Sequence, residues 1–122
     1  MSPQSTVPSH IELTETLVRL YVFLAQYLDR CLDEAARRSF PETELQGHLS
    51  ATKAKVMDLL SVNRVVKTKV QAECDRVLAL GAAWMQGGKG KTPTEDDLKA
   101  ERAALQHKTI ALSDLLAVFR AV

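Results

Sequence analysis

Between residues 13 and 31 the apolar positions Leu13, Leu17, Leu20, Leu24, Tyr27 and Cys31 are separated by alternating steps of four and three. That rhythm keeps one seam of a helix turned towards a neighbour. It predicts a first helix over about residues 10–38. Ser9 and Glu12 form a capping box at its start, and it closes before Pro41, whose ring drives the preceding residue out of helical geometry. Val18, Tyr21, Phe23, Leu28 and Leu32 widen the apolar arc beyond two positions per heptad, so this helix is expected to touch more than one neighbour.

A second seam, Leu45, Leu49, Thr52, Val56, Leu59, Asn63, Val66, Val70, Glu73, Val77, Leu80 and Trp84, holds its phase across some forty positions. It predicts a second helix over about residues 41–85, with Pro41 in the first turn, where its missing N–H costs nothing. Unbroken, such a helix is about 60 Å long and needs two partners laid end to end. Asn63 and Glu73 are polar at seam positions, and Ser61-Val62-Asn63 is the weakest helix-forming spot. The glycine-rich stretch 86–92 reads as a linker. Thr92-Pro93-Thr94-Glu95 then opens a third helix over about 93–121, in which Leu98, Leu105, Leu112 and Phe119 recur every seven residues.

The expected fold is therefore all-α: a 1–9 flexible N-terminal arm, then one bundle domain over 10–122. The bundle is antiparallel and coiled-coil-like, of three long helices, or four if the second breaks near Ser61–Asn63. Its predicted core is Leu17, Leu20, Leu24, Leu28, Leu49, Val56, Leu59, Val66, Val70, Val77, Leu105, Leu112, Leu116 and Phe119. The two cysteines distinguish the alternatives. A chain folded back at Ser61 is expected to bring Cys74 level with Cys31; an unbroken helix holds them tens of ångströms apart.

Composition removes several function classes. Aromatics are only 5% of the 122 residues, and Gly and Pro number five and four, which disfavours β architecture and disorder. Sixteen Lys and Arg against fifteen Asp and Glu leave a formal charge of +1, so no global field draws the chain to nucleic acid. No apolar run approaches a membrane span, and no signal or transit pattern opens the chain, so a cytoplasmic or nuclear setting is expected. Two cysteines 43 positions apart make neither a disulfide framework nor a metal pattern.

Candidate chemistry is sparse. Gly87-Gly88-Lys89-Gly90-Lys91-Thr92 resembles the tail of a phosphate-binding loop, but Met85 stands where such a loop needs glycine, and a helix rather than a strand precedes it. His10, His48 and His107 are scattered, and Glu95-Asp96-Asp97 suits a first helical turn better than a metal. No catalytic constellation, cofactor site or metal site is expected. Lys53, Lys55, Arg64, Lys67 and Lys69 crowd the middle of the second helix against one acid, Asp58, so Arg64, Lys67 and Lys69 are a weak anion-binding candidate. These cations flank the seam on both sides, as solvated edges do.

The functional expectation is a non-enzymatic adaptor or scaffold subunit that holds protein partners by amphipathic helix packing, in a multi-subunit complex or a homo-oligomer. Val18, Tyr21, Phe23 and Leu32 are its candidate partner-binding residues. A small chaperone for an assembly or secretion client is the alternative, with anion or nucleic-acid binding by the basic segment below both.

Overall fold

The computed structural model describes residues 6–33, 42–86 and 93–121. They form four helices: α1 Thr6–Leu32, α2 Glu42–Leu59, α3 Arg64–Gln86 and α4 Glu95–Ala121. No strand occurs among the described residues. The fold is an all-α bundle in which the long second helix is broken, and its two halves run in opposite directions, each packed on α1.

The break lies where the chain is poorest in helix formers. Leu60, Ser61 and Val62 make a turn, with Ser61 N–H donating to the Asp58 carbonyl (3.1 Å) and Asn63 N–H to that of Leu60 (2.9 Å). Asn63 then caps α3, its Oδ1 accepting from Val66 N–H at 3.2 Å. The polar seam residue is thus a helix start. Because phase is lost there, Leu60 enters the core, the predicted Leu59 is only half-buried, and Val66 is 37% exposed.

α1 is the central element and packs against all three others, most extensively against α4. The α1–α4 pair is antiparallel: Arg102 reaches Asp29 at 2.6 Å, Arg120 reaches Glu15 at 2.8 Å, and the Phe119 ring lies beside His10. α2 also runs against α1, with Lys55 on Glu12 and the His48 ring stacked on Phe23. α3 runs parallel to α1, where Tyr27 Oη donates to the Leu78 carbonyl and Trp84 Nε1 to that of Cys31. The up-down-up-down course follows from the short turn at 60–63.

Two close approaches show how tightly α1 is held. A Cβ placed on Gly81 would come within 2.3 Å of the Tyr27 ring, so only glycine lets that ring lie on the α3 backbone. Buried Thr14 and Thr16 donate their hydroxyls to the carbonyls of His10 and Glu12, which makes polar side chains acceptable in an apolar interface. Leu20, Leu24, Leu28, Leu45, Val56, Val77, Leu98 and Leu105 form the buried centre.

Several helix ends differ from the sequence expectation. α1 begins at Thr6, so Ser9 lies inside the helix rather than capping it, and residues 6–9 are not an arm; 1–5 lie outside the described residues. α1 ends at Leu32 instead of continuing to about 38, and 34–38 likewise lie outside the described residues. α4 begins two residues later than Pro93 because Asp97 outcompetes Glu95. Thr94 N–H donates to Asp97 Oδ2 (2.8 Å), and Asp97 N–H donates to Thr94 Oγ1 (3.2 Å). Gln86 is the last residue of α3, and the rest of the expected linker, 87–92, is outside the described residues.

The cysteine expectation fails in register. Cys31 lies level with Trp84, and Cys74 lies level with Tyr21, ten residues back along α1. Even in the folded-back bundle the two thiols are therefore about 15 Å apart along the axis, and no bridge can test the break. Both are buried, and burial raises the Cys74 pKa above the ordinary thiol value.

Candidate docking surface

The partner-binding residues expected on the first helix are drawn into the bundle. Tyr21 is 7% exposed, inside the core, with Lys108 of α4 over its ring; burial raises its pKa, and the neighbouring Cys74 adds to the rise. Phe23 and Leu32 are half-buried against the core, and Val18 is half-buried as well. The wide apolar arc of α1 is consumed by three neighbours, so Tyr21 is corrected to a core residue and the other three form no exposed strip. Nor is there an uncovered far end of a long second helix, because the fold-back removes it.

The exposed apolar side chains lie elsewhere. Val62 is 95% exposed at the α2–α3 turn and Val65 is 67% exposed, with Val66 beside it. The reason lies in how α3 meets α4. Towards the middle of the bundle the two are joined by polar rungs: Arg76 to Glu101 at 2.6 Å, and Glu73 to Lys108. The Glu101 contact also raises the Arg76 pKa. Glu101, Lys108 and Leu115 share one edge of α4 at seven-residue steps; Glu73, Lys69 and Val66 share the facing edge of α3. The next rung towards the turn is therefore apolar, Val66 opposite Leu115, and both remain exposed.

At this end α4 stays on α1 through Phe119 and Arg120, and α3 and α4 touch each other little along their length. The result is a set of exposed aliphatic side chains on the α2–α3 turn, the start of α3 and the facing edge of α4. Ile110 and Val118 are also exposed, but they point round the outer side of α4 and do not belong to it.

The basic candidates divide at the break. Lys53 and Lys55 on α2 are engaged, by Asp75 at 3.3 Å and Glu12 at 3.3 Å. Arg64, Lys67 and Lys69, on the first two turns of α3, meet no carboxylate among the described residues. They interleave with Val62, Val65 and Val66. Sequence reasoning had the three cations but took them for solvated flanks, because a helical projection puts them on both sides of the seam. It placed Val66 in the core, and Val62 and Val65 carried no signal at all.

A second concavity, a groove of about 380 Å³ between α1 and α2, is lined by Thr16, Arg19, Phe23, His48, Thr52 and Lys55. Its polar groups are largely engaged: His48 faces Glu44 at 3.8 Å, Lys55 holds Glu12, and Thr16 bonds its own helix. Among the described residues no group of three or more His, Cys, Asp or Glu side chains could hold a metal ion. No described helix is long and apolar enough to cross a membrane. Comparison with protein-family models, with curated proteins and with solved structures finds no match to this chain.

Proposed function

We propose that the chain is a protein-docking module, an adaptor or scaffold subunit that holds a partner at the open α3–α4 end of the bundle. The observation that carries this reading is the concentration of exposed aliphatic side chains, Val62, Val65, Val66 and Leu115, at one place where two helices stop pairing. Isolated exposed valines are ordinary, whereas a contiguous rimmed patch is the usual mark of an interface. The rest of the molecule supports a passive role: α1 is locked by its neighbours, and in the groove between α1 and α2 Lys55 and His48 already face carboxylates.

The reading moves the docking surface from the α1 face expected from sequence to the α2–α3 turn, and keeps the mechanism of helix packing. The test is recovery of stoichiometric partners on the tagged wild-type chain and on V65D/L115D, followed by reconstitution with each purified partner. The expected result is a complex that forms with wild type and fails with V65D/L115D at unchanged helicity. A complex indifferent to both substitutions would refute it.

A further inference from the structure

Helix α4 has two contrasting sides. Leu98 and Leu105 are buried and Leu112 and Leu116 half-buried on the side that meets α1. The opposite side, from Ala100 to Ala121, carries exposed alanines at steps of three and four, with Ile110 and Val118 among them, each 60% exposed. On its midline stand two polar side chains, His107 and Asp114, both exposed and neither with a partner among the described residues. Every neighbour three or four residues from either is alanine, isoleucine or valine, so α4 itself offers them nothing to bond. We infer that a second copy of this chain covers this face, α4 packing antiparallel on α4 about a two-fold axis between Ile110 and Ala111, with each His107 facing the partner's Asp114.

The argument is self-complementarity in charge and in shape. A two-fold interface uses the same patch twice, so the patch must complement itself when reversed. This one does. About the axis between Ile110 and Ala111, His107 and Asp114 are equidistant, and the imidazole N–H of one copy is set to donate to the carboxylate of the other, twice over. Ile110 falls over the partner's Ala111, Val118 over the partner's Ala103, and Ala104 over the partner's Ala117. Each bulky side chain thus meets an alanine, which lets the axes close to about 8 Å, the short end of the range for packed helices.

Other arrangements lose this match. Parallel pairing sets His107 on His107, Asp114 on Asp114 and Ile110 on Ile110. Sliding the antiparallel pair by one heptad sets either His107 or Asp114 on its own copy, and sliding by half a heptad sets both on apolar side chains. A lipid surface would bury Asp114 in the middle of the face, where no Trp, Tyr or Phe stands to anchor it. Ala100 to Ala121 is about 33 Å of helix. A pair of that length covers roughly 1,000 Å², where specific interfaces begin, so the dimer is expected at about micromolar affinity. This face is separate from Val62, Val65 and Val66, and the inference is independent of the docking reading.

The test is sedimentation velocity of the purified full-length chain over about 1–200 µM, a range that brackets the affinity expected of a small interface. Wild type should pass from monomer to dimer. H107E sets two carboxylates against each other at both ends of the pair and should weaken the dimer about tenfold or more. The exchanged H107E/D114K should restore it, because only an antiparallel register brings residue 107 of one copy to residue 114 of the other. Both positions are exposed, and circular dichroism should report unchanged helicity. A wild-type chain that stays monomeric throughout, a dimer that H107E leaves intact, or an exchange that fails to restore association would overturn the inference. So would a dimer lost in V65D/L115D but kept in H107E, since the copies would then meet through the other patch.

Discussion

The two ends of α3 both carry apolar side chains and do opposite things. At its C-terminal end Gly81 lets the Tyr27 ring settle on the backbone, and Trp84 is bonded to the Cys31 carbonyl. At its N-terminal end Val62, Val65 and Val66 face solvent. The difference is the neighbour: α1 runs beside α3 for the whole of the first region, while in the second α4 has already turned its edge to α1. Apolar character alone does not assign a residue to a core; the register of the facing helix decides.

The largest effect should come from the closed region. Replacing Leu24, fully buried at the centre of α1, with Ala removes side-chain contacts and leaves a cavity, and should cost about 2–5 kcal/mol in chemical denaturation. Gly81→Ala sharpens the same point. On helix propensity alone it should stabilise by about 1 kcal/mol, but the Tyr27 ring stands 2.3 Å from the new methyl, so a net loss of about 1–2 kcal/mol is expected. A stabilised G81A would mean that the ring moves freely and that the α1–α3 approach is loose.

At the open end the effects shrink. Asn63→Ala removes the α3 cap and should cost about 1 kcal/mol, with faster amide exchange confined to residues 64–67. The smallest effect concerns the α2–α3 link. Hydrogen bonds from Gln71 and Lys53 hold the Asp75 pKa below its ordinary value of 3.8. A lowered folded-state pKa means that this contribution is present above the unfolded value and is lost as pH falls through the lower folded one. NMR titration should place Asp75 below 3.8 in wild type and return it towards 3.8 in K53A/Q71A. An unchanged titration would show that these contacts are not formed in solution.

Much of the fold was legible because heptad spacing survives whichever way a helix is paired. Leu20, Leu24, Leu28, Leu49, Val56, Val70, Val77 and Leu105 were read from periodicity and are buried. The break at 60–63 was visible only as a weak spot, because Asn63 suits a buried polar seam as well as it suits a helix cap. The docking surface was not legible, since heptad phase carried through the break puts Val66 in the core and gives Val62 and Val65 no signal. The same ambiguity misled the reading of Tyr21, whose arc looks surplus until three neighbours share one helix.

The central claim is that the apolar side chains at the open end are surplus to folding. Thermal unfolding of V65D/L115D, followed by circular dichroism, tests it directly. The prediction is a change within about 0.5 kcal/mol, a melting temperature within a few degrees of wild type, as for ordinary surface substitutions. A loss of several kcal/mol, or failure to fold, would place Val65 and Leu115 in the core and contradict the account.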